Sequence, residues 1–272
     1  MSHLSMPQPR SFLFVPGSQP DRFSKALNSG ADAVIIDLED AVEPDAKEDA
    51  RRAVAAWVAP DRQVLLRINA NGTPWFTEDA QLARLRGVTG IVLPKAENAS
   101  DVVALVSLTR TKLPIFPLIE SAEGMWNAMA TANAPFVHQL MFGTLDFIAD
   151  MGIESDGVEL DPFRAQLVMI SRVAGIHPPI DGVTPAIDDV DRLTTETRNG
   201  KRRGFSGKLC IHPKQVATVN QCYASSESEL AWARRVLDAS KKANGAAISI
   251  DGRMVDRPVV LRAQRVVNLA RA

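Results

Sequence analysis

The feature that most constrains the fold is a repeated alternation between short apolar runs and amphipathic segments. Runs rich in Val, Ile, Leu and Phe recur eight times, and each is followed by a stretch in which apolar residues have helical spacing. Such runs are typical of strands buried on both faces, and strands of this kind that alternate with helices form parallel sheets. The eight runs are residues 11–17, 33–40, 63–69, 90–96, 115–121, 137–146, 178–185 and 208–213.

Eight strand-helix units are the number that closes a parallel barrel, so the predicted fold class is α/β, a (β/α)₈ TIM barrel. An open doubly wound sheet is the alternative, but no G-x-G-x-x-G or phosphate-binding loop supports a nucleotide fold. The barrel is assigned to residues 1–225. Residues 226–272 break the rhythm with two helical segments around an alternating stretch, ISIDGRMV, and predict a helical and hairpin extension or lid within the same domain.

Charge and cysteine content exclude several classes of partner. The 272 residues include 31 basic and 32 acidic side chains, which gives no broad electrostatic attraction to nucleic acid or to a membrane surface. No apolar run approaches the roughly 18 residues that a membrane-spanning helix needs. Two cysteines without a CxxC pair predict neither a disulfide framework nor a zinc site. We therefore expect a soluble, cytoplasmic protein without nucleic-acid or membrane partners.

Charged side chains fall where the predicted strands end. They are Asp37, Glu39 and Asp40 after the second run, Arg67 in the third, Glu120 in the fifth and Asp146 in the sixth. The carboxyl ends of all strands in a parallel barrel meet at one mouth, where catalytic groups lie. Because side chains alternate along a strand, Asp37 and Glu39 should share one face of the second strand. Phe142 and Asp146 should likewise share one face of the sixth strand. We expect five carboxylates and one arginine to converge there.

Carboxylates gathered in a partly dry pocket destabilise the fold unless a positive group offsets them. A hard divalent cation such as Mg²⁺ is the economical solution, because it binds one or two carboxylates and leaves positions for water and substrate. Glu120 and Asp146 are the predicted direct ligands. Around them, Asp37, Glu39 and Asp40 are predicted to hold metal-bound water and orient their neighbours.

Other roles stay open for the same residues. A single carboxylate at a strand end is often a helix cap or part of a surface ion pair, and Asp40 fits that role best. Arg67 is a candidate clamp for a substrate carboxylate, or it pairs with Glu39.

Several motifs resemble those of the citrate lyase β-subunit-like family, within the HpcH/HpaI aldolase and malyl-CoA lyase superfamily. They run in family order from about Arg10 to near the C-terminus, and include DLEDAV (37–42), LLRIN (65–69), LPKAE (93–97), FPLIES (116–121), FGTLDFIADMG (142–152), GFSGKLCIHPKQV (204–216) and DGRMVDRPVV (251–260). The resemblance implies a (β/α)₈ barrel that binds Mg²⁺ and cleaves or forms a carbon–carbon bond between a 2-oxo acid and a coenzyme A thioester.

The resemblance also implies roles for single residues. Glu120 and Asp146 match the metal ligands, so Glu120 lies beside the substrate, and Arg67 matches the residue that binds the acid's carboxylate. Asp256 matches an acid/base that reaches the active site of a neighbouring subunit. The family usually forms trimers or hexamers, so the resemblance also implies a homo-oligomer.

Three other functions stay open at this point. The first is a thioesterase that acts on malyl-CoA-type substrates, and the second is a citrate lyase β-subunit that acts on a thioester of an acyl carrier protein. The third is a non-catalytic barrel that docks an acyl carrier. The sequence does not fix the acyl chain or the 2-oxo acid.

Overall fold

The computed structural model describes residues 8–243, 248–250 and 253–271. Its first eight strands form one closed barrel of parallel strands in sequence order, in which β8 pairs with β1. These strands are β1 Ser11–Pro16, β2 Ala33–Asp37, β3 Val64–Arg67, β4 Val88–Leu93, β5 Ile115–Ile119, β6 Gln139–Phe142, β7 His177–Asp181 and β8 Gly207–Cys210. The predicted (β/α)₈ TIM barrel is confirmed.

Helices separate consecutive strands along the chain. Those of the barrel are α1 Phe23–Leu27, α2 Lys47–Trp57, α3 Phe76–Gln81, α4 Ala99–Thr109, α5 Ala122–Ala132, α6 Thr144–Met151, α7 Asp161–Ala174, α8 Val190–Arg203 and α9 Pro213–Tyr223. Short 3₁₀ turns occupy Pro20–Arg22, Pro44–Ala46, Leu82–Arg84 and Val158–Leu160.

The interior of the barrel is filled by apolar side chains from all eight strands. They are Phe12, Ile35, Leu65, Val92, Phe116, Leu118, Met141, Ile180 and Leu209, each at most 6% exposed. Because side chains alternate along a strand, the residue two positions beyond an inward-facing one also faces inward. This rule places Asp37, Arg67 and Glu120, which follow Ile35, Leu65 and Leu118 by two residues, at the carboxyl end of the barrel interior.

The sixth strand is shorter than its apolar run. The strand predicted over 137–146 ends at Phe142, and α6 begins at Thr144 after the cap residue Gly143. Asp146 therefore lies in the first turn of a helix, and the prediction that it alternates with Phe142 along a strand is wrong. Glycine is a good helix N-cap, so the break falls where the chain can turn most freely.

The described residues divide into two compact units, Pro9–Cys222 and a second unit that contains the segment from Tyr223 onward. In the second unit, α10 (Glu227–Lys242) begins with a capping box of Ser226 and Glu229. Two short antiparallel strands, β9 (Ile248–Ile250) and β10 (Arg253–Val255), precede α11 (Arg257–Arg271). The predicted turn residues 251–252 lie outside the described residues. The inclusion of this extension in the barrel domain stays a prediction.

The helices of this protein are short or carry charged side chains along their length. Within the described segments, none is both long and apolar enough to cross a bilayer.

Candidate active site

Asp37 and Arg67 form the first element of the mouth. They are direct partners on the neighbouring strands β2 and β3, and the guanidinium donates to both carboxylate oxygens at 2.7 and 2.6 Å. The same carboxylate accepts the backbone N–H groups of Glu39 and Ala41. Burial acts to lower the pKa of Arg67, but Asp37 and the other nearby carboxylates raise it above its ordinary value. Arg67 is therefore a permanent positive charge in a fixed orientation.

Glu39 links this pair to β4. Arg67 Nη1 lies 3.0 Å from its Oε2, and Lys95 Nζ lies 2.5 Å from its Oε1. Burial raises the pKa of Glu39, and Arg67 and Lys95 offset only part of that rise. Asp40 lies at the rim, half exposed, 3.4 Å from Arg67 and 3.9 Å from Lys95. Its exposed position fits the anchoring role considered from the sequence.

Glu120 follows β5 and is 4% exposed. Its Oε1 accepts the backbone N–H of Lys95 at 2.6 Å. Burial, together with the negative charges of Glu39 and Asp146, raises the pKa of Glu120 to about 8. The side chain is therefore a carboxylate in surroundings that disfavour an uncompensated negative charge.

Gly143 and Asp146 complete the acidic side of the mouth. A Cβ atom on Gly143 would lie 2.6 Å from Glu120 Cβ and 2.7 Å from Glu120 Oε2, so only glycine leaves room for this carboxylate. Asp146 is exposed in the first turn of α6, and its charge acts on Glu120. The structure thus brings the two predicted ligands near each other from different elements, β5 and α6.

Lys47 and Asn69 support the loop that carries Glu39. Lys47 Nζ donates to the carbonyl oxygens of Leu38 and Glu39 at 2.9 and 2.8 Å. Asn69 donates to the same Leu38 carbonyl and to Asp79, which in turn pairs with an arginine of α2. These buried contacts hold the backbone after β2 in place.

The strands on the other side of the barrel bring small residues to the mouth. β1 is followed by Gly17 and β7 by Gly182. A Cβ atom on Gly182 would lie 2.3 Å from Thr144 Oγ1, so the buried Thr144 side chain occupies that space. Beside it, Arg164 holds Asp181 at the end of β7. The mouth is therefore charged along β2–β6 and largely neutral along β7 and β1.

The formal charges at the mouth leave an excess of two negative charges. The carboxylates are Asp37, Glu39, Asp40, Glu120 and Asp146, and the cations that act on them are Lys47, Arg67 and Lys95. A divalent cation would balance this excess. Among the described residues, no three His, Cys, Asp or Glu side chains are grouped for metal binding. The donor set therefore fits a hard ion that uses one or two carboxylates and completes its coordination with water and substrate.

Six of the seven predicted site residues lie together at this mouth. The seventh, Asp256, belongs to the second unit, where its carboxylate accepts the backbone N–H of Val259 at 3.4 Å in the first turn of α11; its catalytic role stays a prediction. Lys95, Lys47 and Gly143 were not assigned to the site from the sequence. For Lys95 and Gly143 a signal existed, because Gly143 directly follows β6 and Lys95 lies two residues after the end of β4.

Two family models match this chain. One, described as HpcH/HpaI aldolase/citrate lyase, matches residues 10–213. The other, described as a C–C bond lyase of the TIM-barrel fold, matches residues 171–272. Together they span the barrel and the extension.

Individual relatives match over nearly their whole lengths. The citrate lyase subunit beta-like protein of Deinococcus radiodurans is 34% identical over 277 residues, which cover 95% of this chain and 96% of the relative. The (3S)-malyl-CoA thioesterase of Cereibacter sphaeroides is 30% identical over 282 residues, which cover 100% and 98%. The crystal structure of CitE from Mycobacterium tuberculosis with magnesium, acetoacetate and coenzyme A has a TM-score of 0.86 and 34% identity, covering 98% of this chain and 100% of that one.

Proposed function

This chain belongs to the HpcH/HpaI aldolase/citrate lyase family, and from that premise we propose that it is a Mg²⁺-dependent carbon–carbon lyase. The proposed substrate is a 3-hydroxyacyl-coenzyme A of the malyl, citramalyl or citryl type. Cleavage yields a 2-oxo acid and an acyl thioester, and the same site supports the reverse condensation. The family resemblance seen in the sequence is confirmed; the reaction is the proposal.

One observation carries this proposal: a buried carboxylate and a buried arginine face the same mouth from different strands. Glu120 and Arg67 lie at the ends of β5 and β3, and Asp146 is near enough to raise the pKa of Glu120. Glu120 and Asp146 would hold the ion, and the CitE relative was crystallised with magnesium, acetoacetate and coenzyme A. Bound Mg²⁺ supplies Lewis-acid polarisation of substrate oxygens.

The chain's own residues would bind the carboxylate end of the substrate and transfer a proton to the product. Arg67 would bind the substrate carboxylate through a guanidinium N–H that is not used by Asp37, Glu39 or Asp40, and Asp37 keeps the guanidinium in the required plane. In the cleavage direction a base accepts the proton of the substrate hydroxyl, and that oxygen becomes the carbonyl of the 2-oxo acid as the adjacent carbon–carbon bond breaks. The electron pair of the broken bond forms the enolate of the thioester. Asp256 would return a proton to that enolate carbon.

Asp256 and the oligomer belong to one hypothesis. The family resemblance assigns Asp256 to a neighbouring subunit's active site, which requires a homo-oligomer, either a trimer or a hexamer. In this proposal the extension is a lid that delivers the acid, and free coenzyme A is the carrier.

The deciding experiment incubates the protein with Mg²⁺ and with malyl-, citramalyl- or citryl-coenzyme A, and analyses both products. A lyase releases a 2-oxo acid, which a carbonyl reagent traps, and leaves the thioester intact. A thioesterase releases a free thiol and leaves the hydroxy acid whole. We expect 2-oxo acid release that a chelator abolishes. Absence of that release from all three substrates contradicts the lyase proposal.

Two site variants and one control link the activity to this mouth. Glu120→Gln and Asp146→Asn each remove one negative charge that would hold the ion, and each should lower kcat/KM by at least about 100-fold. Asp61→Asn removes an exposed carboxylate in the turn before β3, at the opposite end of the barrel, and should leave activity unchanged. Equal losses in all three variants would show that the activity does not come from this site.

The thioesterase is the second candidate, because a relative of that activity is 30% identical over the whole chain. It would use the same ion and the same arginine but end in attack of water on the thioester. Thiol release without 2-oxo acid is its signature. Activity only on an acyl carrier protein thioester would identify a citrate lyase β-subunit. No turnover in any assay would favour a docking barrel.

A further inference from the structure

Lys95 contacts both the arginine side and the metal-ligand side of the mouth. It is the second residue of the loop after β4 and has a left-handed backbone conformation, with φ of 46°. Its backbone N–H donates to Glu120 Oε1 at 2.6 Å, and its Nζ donates to Glu39 Oε1 at 2.5 Å. One residue therefore holds two of the carboxylates at this mouth.

The unusual backbone explains how both contacts are possible. The angle φ sets the direction of a side chain relative to its own N–H, and left-handed values are disfavoured for residues with a Cβ. At Lys95 this conformation directs the N–H toward β5 and the side chain toward the loop after β2. Strained backbone of this kind is concentrated at functional sites, where the surrounding structure maintains it.

The contacts of Lys95 also determine which carboxylate oxygens remain available. Each oxygen of Glu39 lies close to a cation: Oε1 accepts a hydrogen bond from Lys95 Nζ, whereas Oε2 lies 3.0 Å from Arg67 Nη1 but accepts no hydrogen bond. At Glu120, Oε1 is held by the Lys95 N–H, whereas Oε2 lies against Gly143. The charge of Glu39 is thereby partly offset and its Oε1 is held by Lys95, and Glu120 presents one oxygen on the side from which α6 starts.

We propose that Lys95 is a positioning residue that prevents Glu39 from acting as a metal ligand and leaves Glu120 Oε2 as the oxygen that faces the ion. This inference rests on the proposed metal-dependent function. Loss of the ammonium frees Glu39 and adds a negative charge to the mouth, so the ion should bind more tightly but in an altered arrangement. Turnover should fall even though metal affinity rises.

The test compares Lys95→Ala, Lys95→Gly and Lys95→Arg with a control, Lys112→Ala. Lys112 is exposed before β5, at the opposite end of the barrel. Calorimetric titration with Mg²⁺ alone, without substrate, should give dissociation constants at least about threefold lower for the Ala and Gly variants. Their kcat should fall by at least about tenfold. Lys95→Arg and Lys112→Ala should match the wild-type protein in both measurements.

The Ala and Gly variants also separate the backbone from the side chain. Both lack the ammonium, but only glycine adopts the left-handed conformation without strain. Lys95→Gly should therefore have a higher Tm than Lys95→Ala, with the same metal affinity. Weaker Mg²⁺ binding in both variants, unchanged turnover in both, or failure of Lys95→Arg to retain wild-type values overturns the proposal.

These measurements distinguish a failure of the proposed role of Lys95 from a failure of the proposed lyase function. If the wild-type protein binds Mg²⁺ but releases no 2-oxo acid or thiol, the proposed function fails and the titrations alone decide the role of Lys95. If the wild-type protein is active and the variants behave like it, only the role of Lys95 fails. A wild-type protein that does not bind Mg²⁺ overturns both.

Discussion

At the scale of single residues, close contacts leave little freedom to the buried carboxylates of the mouth. Asp37 accepts four hydrogen bonds, two from Arg67 and two from backbone N–H groups. Buried charges stabilise a fold only when they are paired and fully hydrogen-bonded. The arginine is thus held before any substrate arrives, which lowers the entropic penalty of ordering it during binding.

Gly143→Ala should weaken Mg²⁺ binding, although Gly143 is not one of the proposed metal ligands. The added methyl group would lie 2.7 Å from Glu120 Oε2, so the carboxylate must move. We expect Mg²⁺ affinity to fall by at least about tenfold and the free energy of unfolding by about 1–3 kcal/mol. Calorimetric titration and urea denaturation measure the two effects.

Gly175→Ala is the matched control for that experiment. Gly175 follows α7 with φ of 72° and has open space around it. Alanine there should destabilise the protein by about 1–2 kcal/mol through backbone strain, with unchanged Mg²⁺ affinity. A similar loss of Mg²⁺ affinity in both variants would mean that stability, not the position of Glu120, governs metal binding.

At the scale of helices and strands, the barrel and three inward-facing site residues could be predicted from the sequence. Asp37, Arg67 and Glu120 follow core residues by two positions, and the period of a strand is a local property. The start of α6 was missed because the apolar run LMF continues into TLDFIAD, which has β-forming residues on both sides of Gly143. The roles of Lys95 and Lys47 depend on a left-handed backbone and on contacts distant in sequence, which no local pattern encodes.

Asp256 has a structural role that complicates its use as a test of catalysis. Its carboxylate accepts the N–H of Val259 and so caps α11. Asp256→Ala should therefore lower the free energy of unfolding by about 0.5–2 kcal/mol, whereas Asp256→Asn keeps a cap of similar strength. Both variants should lose turnover, by about 10²–10⁴-fold, because neither can transfer a proton.

Thermal unfolding and kcat, measured on the same preparations, separate the two roles. Full activity in Asp256→Asn with a loss in Asp256→Ala would assign this residue to the helix cap alone.

At the scale of the whole molecule, the proposed oligomer predicts that two inactive variants regain activity when they assemble together. In the proposed oligomer, each site would need Glu120 from one subunit and Asp256 from its neighbour. Glu120→Gln and Asp256→Asn, unfolded together and refolded as an equal mixture, should recover roughly a quarter of wild-type activity, because each requirement is met half of the time. Light scattering measures the mass of the refolded species. Activity no greater than that of the separate variants would place both residues in one subunit, or exclude Asp256.

A partly buried histidine at the amino-terminal end of the barrel strands should make the stability of the fold depend on pH. His138, just before β6, lies against His177 of β7 and the ring of Phe116. Burial, and to a lesser extent the charge of His177, lowers the pKa of His138 to about 4. The unfolded chain takes up a proton as the pH falls below about 6.5, whereas the folded chain does so only near 4. The contribution of His138 to the free energy of unfolding is therefore fully present above pH 6.5 and is lost as the pH falls from about 6.5 to about 4.

His138→Phe should retain the ring packing but remove this titration. Between pH 7.5 and 5 the wild-type protein should lose more stability than the variant, as measured by urea midpoints at each pH. Identical losses would show that other groups account for the acid sensitivity.

The unequal distribution of charge around the mouth has a stereochemical consequence. Ionic groups line the arc from β2 to β6, while glycines follow β7 and β1. A planar, achiral keto group whose acid end is held by the ionic arc has one of its two faces turned toward the neutral arc. If the attacking carbon of the thioester enters over these glycines, it reaches only that face, and the condensation product should have a single configuration at the new stereocentre.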